Sequence, residues 1–350
     1  MVVLSKHVAR SLSAAICLLA LSLPAMAQKL RVGIVNTGSD IGIYIADKKG
    51  YFKAEGLDVE MISFTTAAKM IAPLGAGQLE VGGGTVAAGL YNAAARNIGI
   101  KIVADKGSIK PGYNFSSLIV RKDLVDSGRY KSFKDLKGMK VAIAAYGTGN
   151  AATLNAALER GGLKWSDVET LELGFPQHVA GMTTKAIDAS ITNEPLSSLA
   201  LRQGLAVKAP DDESIYPNHQ VAVMLYSTNF AKTQPEAAAK FMRAYLKGVR
   251  DYNDGLSNGR IAGPNAAEVI KTLTEYTPVK DASVYTDTTP NACDPDGRVN
   301  LDSLKRDLAF FKEQKWVESP DVTAESMIDM SFAEQAVKEL GPYKPKTAAN

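Results

Sequence analysis

Leu30-Arg31-Val32-Gly33-Ile34-Val35, Ile41 to Lys49 and Leu57-Asp58-Val59-Glu60-Met61-Ile62 read in turn as strand, helix and strand, and this unit decides the fold. The outer runs are short and β-rich, and the middle run has helical length. Working outward, the alternation continues. A helix ends near Gly75 or Gly77, Leu79-Glu80-Val81 runs into Gly82-Gly83-Gly84-Thr85, an Ala-rich helix follows, and Ile100 to Ala104 is a strand again. Such a βαβα series predicts an open α/β sheet.

A similar series restarts after Arg121. Lys140 to Ala145 is a strand, Gly147-Thr148-Gly149-Asn150 opens a helix over 151–160, and Val168 to Leu173 is a strand. Gln177 to Lys185 is helical, Ala186 to Ile191 a strand, and Pro195 to Gln203 a helix. Gly77 to Gly82 and Thr184 to Ser190 echo each other locally, which favours two similar lobes over a solenoid. Beyond Gln220 the character changes. Val221 to Tyr226 is a last clear strand, and Thr233-Gln234-Pro235-Glu236 reads as a capping box. Phe241, Met242, Tyr245, Leu246, Val249 and Tyr252 then form one apolar helical stripe, read as packing. Further helices are expected over 266–275, 301–314 and 327–340, and the end from Gly341 is expected to fray.

The 350 residues suffice for two domains, each with its own core. A hydrophobic content of 46% excludes intrinsic disorder, and a net charge of +3 from scattered Lys and Arg excludes a nucleic-acid scaffold. Two cysteines exclude multi-cysteine metal or disulfide frameworks. Residues 1–27 read as a Sec-type export signal, with Lys6 and Arg10, an apolar run from Ser11 to Leu23, and cleavage after Ala25-Met26-Ala27. No later run approaches the length of a membrane span, so a soluble periplasmic chain is expected, with Cys293 as its single thiol.

Open α/β sheets bind ligands beyond the carboxyl ends of their strands. Five such ends carry the same chemistry here: Thr37-Gly38-Ser39-Asp40, Ser63-Phe64-Thr65-Thr66, Gly83-Gly84-Thr85, Gly147-Thr148-Gly149-Asn150 and Asn193-Glu194. Gly admits close backbone approach, and helix N-termini favour an anionic group. Together they predict one polar cleft shared by two lobes. Gly147 to Ala152 also matches the loose dinucleotide fingerprint G-x-G-x-x-A, with Glu172 near the end of the next strand. An exported oxidoreductase binding a dinucleotide at Gly147–Gly149 is therefore the alternative. Against it stand a lobe of about 100 residues and a route that exports unfolded chains.

Catalytic chemistry is poorly supplied. His178 and His219 are the histidines left after signal removal, the former read as a surface or cleft-edge group and the latter as structural. There is no G-x-S-x-G elbow and no metal-ligand spacing, and Asp294-Pro295-Asp296-Gly297 reads as a turn.

The run Gly50-Tyr51-Phe52-Lys53-Ala54-Glu55-Gly56-Leu57-Asp58-Val59-Glu60 resembles the signature of ABC-importer solute-binding proteins of the aliphatic-sulfonate, taurine, nitrate and thiamine-pyrimidine-precursor family. Ala76 to Gly84, Leu136 to Ala142, Leu173-Gly174-Phe175-Pro176 and Asn193-Glu194-Pro195 match further motifs in order. The resemblance implies a type II periplasmic binding fold: two α/β lobes joined by two crossover strands, with a ligand cleft between. Lobe 1 is then 28–120 plus 221–350, and lobe 2 is 121–220. It also implies a monomer that closes on a small molecule and docks on an ABC permease at the inner membrane, with no cofactor and no catalytic residue.

On this mapping Ser39 and Asp40 make polar ligand contacts, Thr65 and Thr85 donate hydroxyls, and the backbone amides of Thr148 and Gly149 hold an acidic group. Asn193 and Glu194 bind from the second lobe, and Tyr113 and Phe175 supply apolar walls. Gly38, Phe64, Gly84 and Asn150 complete the loops. The ligand expected is a small sulfonate- or carboxylate-like solute. Family members often have Trp before the Glu-Pro pair, where this chain has Asn193, so a polar ligand is favoured over ring stacking there. The family's single-turnover pyrimidine synthases carry a cysteine-rich iron-binding segment, which a chain left with only Cys293 after signal removal cannot supply.

Overall fold

The computed structural model describes residues 28–210 and 215–346; the expected export signal, residues 1–27, lies outside the described residues. Strands β1 (Gln28–Ile34), β2 (Leu57–Ser63), β3 (Val81–Thr85) and β4 (Ile100–Ser108) build one sheet, and β5 (Ser116–Arg121), β6 (Lys140–Ile143), β7 (Glu169–Glu172), β8 (Ala189–Asn193) and β9 (Ala206–Lys208) build another. A last strand, β10 (Gln220–Ser227), returns to the first sheet. The orders are β2-β1-β3-β10-β4 and β7-β6-β8-β5-β9. Each sheet has three parallel strands followed by an antiparallel fourth. In both, that fourth strand is the one that has just arrived from the other lobe.

Among the described residues, the helices of seven residues or more are α1 (Ile41–Lys48), α2 (Ala88–Ala95), α3 (Gly149–Arg160), α4 (Phe175–Thr183), α5 (Leu196–Arg202), α6 (Pro235–Asn253), α7 (Ala266–Tyr276), α8 (Leu301–Glu313) and α9 (Ser331–Leu340). The stripe on α6 is wholly buried, and α6 packs on α1. Gly42 and Gly248 meet at that crossing, where a Cβ on Gly248 would lie 2.2 Å from the Gly42 carbonyl oxygen. Only glycine lets these two helices touch through their backbones.

The chain crosses between sheets twice, between β4 and β5 and between β9 and β10. The crossings are tied together by Ile109 N–H, which donates to His219 O (2.8 Å). The expected boundary at 120/121 falls too late. Ser116–Arg121 pairs with β8 and β9, because its buried Leu118, Ile119 and Val120 complete the second sheet's core.

Four local expectations change. Gly82, Gly83 and Gly84 are not a loop but the strand β3 itself, squeezed so tightly that a Cβ on Gly84 would meet Leu225 Cδ1 at 2.6 Å. The capping box at Thr233 does not form, since the Thr233 hydroxyl bonds back to Asn229 O (2.8 Å). The last helix starts at Ser331 rather than Met327, where Asp329 accepts the Ser331 N–H (3.1 Å). The tail does not fray at Gly341: the Tyr343 hydroxyl (2.8 Å) and the Lys346 N–H (2.9 Å) both donate to buried Asp254.

Candidate functional site

Between the lobes, at the carboxyl ends of both sheets, lies a cavity of about 30 Å³ lined by Ser39, Thr66, Gly84, Thr85, Lys106, Thr148, Asn150, Phe175 and Asn193, with Val35, Ala67, Ala144, Val221 and Ala222 as its apolar surface. A larger hollow of about 690 Å³ lies between α3 and α8, away from the carboxyl ends of the strands. The lobes meet around the cavity. Ala88 N–H donates to Gly147 O (2.7 Å), Gly38 N–H donates to Glu194 O (3.0 Å), and Ala87 bridges Thr148.

The first lobe's wall is charged. Lys106, on β4, is only 2% exposed, and its ammonium donates to Asp40 Oδ1 (2.6 Å) and Ser39 Oγ (3.0 Å). An ammonium has three N–H groups, so one remains for the cavity that Lys106 lines. Asp40 is not the ligand contact expected of it. Its other oxygen accepts from Val35 N–H, Thr37 N–H and the Tyr44 hydroxyl, so the carboxylate is spent as the buried counter-ion of Lys106.

The second lobe's wall is neutral. Asn150, at the start of α3, donates through Nδ2 to Ser116 Oγ (3.0 Å) and Asn193 Oδ1 (3.2 Å). Phe175 stands edge-on to His178 at 5.5 Å and closes the apolar side. His178 is fully buried rather than at a cleft edge, because its nitrogens are needed inside, paired with Thr192 Oγ1 (2.9 Å) and Leu173 O (3.0 Å). Burial pushes its pKa down to about 4, so it stays neutral. His219 is structural, held between Thr153 and Asp307.

Of the residues singled out from sequence, Ser39, Gly84, Thr85, Thr148, Asn150, Phe175 and Asn193 reach this cavity. The hydroxyl of Thr85 is not a donor to it, since its hydrogen goes to Val221 O. Gly38 and Glu194 instead border a smaller neighbouring cavity of about 10 Å³ with Phe115, Tyr252 and Tyr285. Glu194 accepts from Ser198 N–H (3.0 Å) and lies 4.0 Å from the Lys208 ammonium.

Thr65 is exposed and Phe64 half-buried, and the next residue, Thr66, takes the place expected of Thr65. Gly149 is covered by β10, its Cβ position 3.3 Å from Val221 O, and it is not among the residues lining the cavity. Tyr113 sits apart in a turn closed by two backbone bonds to Lys110. Lys106 was missed because the strand was read as ending at Ala104; the Asp105-Lys106 pair continuing an apolar run was the available signal.

The Gly147 loop leaves little for a dinucleotide. Gly147 has φ +60°, and a Cβ there would strike Ala88 Cβ at 2.6 Å, so the loop is pressed onto the first lobe. Among the described residues, no group of three or more His, Cys, Asp or Glu could hold a metal ion, and no helix is long and apolar enough to cross a membrane.

Known proteins resemble this arrangement. A Brucella abortus (strain 2308) protein, provisionally named a binding protein, is 26% identical over 209 residues, 59% of this chain and 61% of its own. The Saccharomyces cerevisiae 4-amino-5-hydroxymethyl-2-methylpyrimidine phosphate synthase THI13 is 26% identical over 225 residues, 61% of this chain and 62% of its own. The match thus spans less than two thirds of these relatives' length. The solved structure of the periplasmic aliphatic sulphonate binding protein SsuA from Escherichia coli superposes with a TM-score of 0.66 at 19% identity, covering 88% of this chain and 99% of that one. Its likeness establishes the two-lobed periplasmic binding protein fold. The family described as NMT1/THI5 like matches residues 38–254, most of the chain, and the protein belongs to that family.

Proposed function

We propose that this chain is the periplasmic solute-binding subunit of an ABC importer. It captures a small polar organic solute with an acidic, sulfonate- or carboxylate-like group by closure of its two lobes, and hands it unchanged to a permease at the inner membrane. The observation that carries this reading is Lys106, a buried ammonium fixed by Asp40 and Ser39 at the wall of a cavity to which the second lobe brings the side-chain amides of Asn150 and Asn193. An ammonium in a water-poor cleft attracts an acidic group far more strongly than in solvent. The site offers binding groups and no nucleophile–base pair, which favours carriage over conversion; the family also includes synthases, so turnover is part of the test.

The mature chain is screened by thermal shift against alkanesulfonates, aminosulfonates, small carboxylates, pyrimidines, nitrate, amino acids and NAD. One acidic solute at a hundred times its Kd is expected to add about 2.7 kcal/mol of stability and to be recovered unaltered. Stabilisation by NAD alone, or chemical change of the bound solute, would overturn the reading.

A further inference from the structure

The hydrogens of the cavity's hydroxyls say more about the solute. The Thr85 hydroxyl hydrogen is committed to Val221 O, and the Thr148 hydroxyl donates to Ala145 O (2.7 Å). A carbonyl oxygen cannot donate, so the polarity of both bonds is fixed. Each hydroxyl therefore meets a molecule in the cavity with lone pairs only. The two come from opposite lobes, Thr85 at the end of β3 and Thr148 ahead of α3, and Thr148 is paired to the first lobe through Ala87. Asn150 adds to this, since its amide nitrogen is spent on Ser116 and Asn193 and its carbonyl oxygen remains. Donors stand there too: the remaining N–H of Lys106, the Asn193 amide nitrogen, whose oxygen accepts from Asn150, and the Thr66 hydroxyl.

From this accounting we infer that the solute carries at least one N–H or O–H donor beside its acidic group: an amino- or hydroxy-substituted small acid, not a bare inorganic anion or a plain alkanesulfonate. This rests on the solute-binding reading and narrows it. The acidic group takes the Lys106 N–H, and the donor group is gripped by Thr85 of one lobe and Thr148 of the other. A solute without the donor turns acceptor atoms toward acceptor atoms in a closed cleft, where each lost hydrogen bond is not replaced by water. A donor shared by both threonines also couples recognition to closure, because neither lobe alone completes its bonds.

The test is calorimetry on the mature full-length chain with ethanesulfonate, 2-hydroxyethanesulfonate and 2-aminoethanesulfonate, and with propanoate and its 3-hydroxy and 3-amino derivatives. At least one substituted acid is expected to bind roughly tenfold or more tighter than its unsubstituted parent. Thr85→Val, which keeps the shape and removes the lone pairs, is expected to shrink that ratio toward one. Thr148→Val should do the same; because Thr148 precedes a helix, Thr85→Val carries the decision if that variant fails to fold. Parent acids binding as tightly as their derivatives, or a ratio untouched by Thr85→Val, overturns this inference and leaves the binding reading standing. No binding by any of the six, with a solute that lacks an N–H or O–H donor bound in the thermal-shift screen instead, likewise overturns this inference and leaves the binding reading standing.

Discussion

The two lobes share a strand order but face their cleft with different chemistry. The first presents a buried ion pair, Lys106 with Asp40, on a strand that also holds buried Asp105. The second presents an uncharged network, Asn150 with Ser116 and Asn193, backed by neutral His178. Equal topology thus does not mean equal polar design. On the proposed reading the charged wall supplies attraction, and the neutral wall supplies direction at a lower desolvation cost.

The sharpest break of this comparison is Lys106→Met. Removing the ammonium leaves a buried carboxylate without its counter-charge, and the expected cost is about 3–5 kcal/mol. Adding Asp40→Asn to it should restore much of that stability without restoring binding of an acidic solute. Urea unfolding of the single and double variants checks the first part and calorimetry the second. A loss no greater than that of an Asn150 variant would mean that the walls do not differ as described.

The lobes should also answer pH in opposite senses. Burial lowers His178 from 6.5 to about 4, so the unfolded chain takes up a proton that the folded chain refuses. Its contribution is full above pH 6.5 and is lost as pH falls toward 4, a total of about 3 kcal/mol. Burial raises Asp105 from 3.8 to about 6, against the pull of bonds from Asp294 N–H and Gln220. Its contribution is full below about pH 4 and is lost as pH rises through 6, again by about 3 kcal/mol. Melting profiles of His178→Gln and Asp105→Asn, each subtracted from wild type between pH 4 and 7, should therefore slope in opposite directions. Parallel slopes would refute the assignment.

On the neutral wall, Asn150→Ala removes two hydrogen bonds but strands no charge. The expected loss is about 1–3 kcal/mol. Calorimetry should find weaker solute binding with little change in its salt dependence, whereas Lys106 variants should flatten that dependence.

How far this contrast could be read beforehand follows from its causes. The parallel order of each lobe was legible in alternating runs such as Leu30–Val35 and Lys140–Ala145, because strand and helix periods are local. The neutral wall was legible too, since Asn150 and Asn193 lie where strands hand over to helices. Lys106 was not, because its place depends on β10 pairing with β4 beyond Ala104, a contact between residues more than a hundred positions apart. Thr66 displaced Thr65 by a single residue of turn geometry. Asp40 was legible as a polar residue at the cleft, but its role depends on Lys106 and could not be read without it.

The smallest effect is expected where the two halves touch through rings. The chain's two tryptophans, Trp165 beside β7 and Trp316 beyond α8, have ring centroids 5.3 Å apart, and Tyr146 lies 5.7 Å from Trp316. The Tyr146 hydroxyl is anchored to Thr170 O on β7 (3.0 Å), while Trp316 O accepts from Asn92 Nδ2 on α2 (2.9 Å). Parting the lobes must break the ring contacts and leave those anchors intact. An aromatic pair adds about 0.5–1.5 kcal/mol beyond its buried area. Tyr146→Ala, at a position 40% exposed, should therefore fold normally, shift tryptophan emission to the red, enlarge the radius of gyration in solution scattering and weaken solute binding roughly two- to tenfold. If emission and radius stay as in wild type, the rings are passive packing, and the hold between the charged and neutral walls lies in backbone bonds such as Ala88 to Gly147.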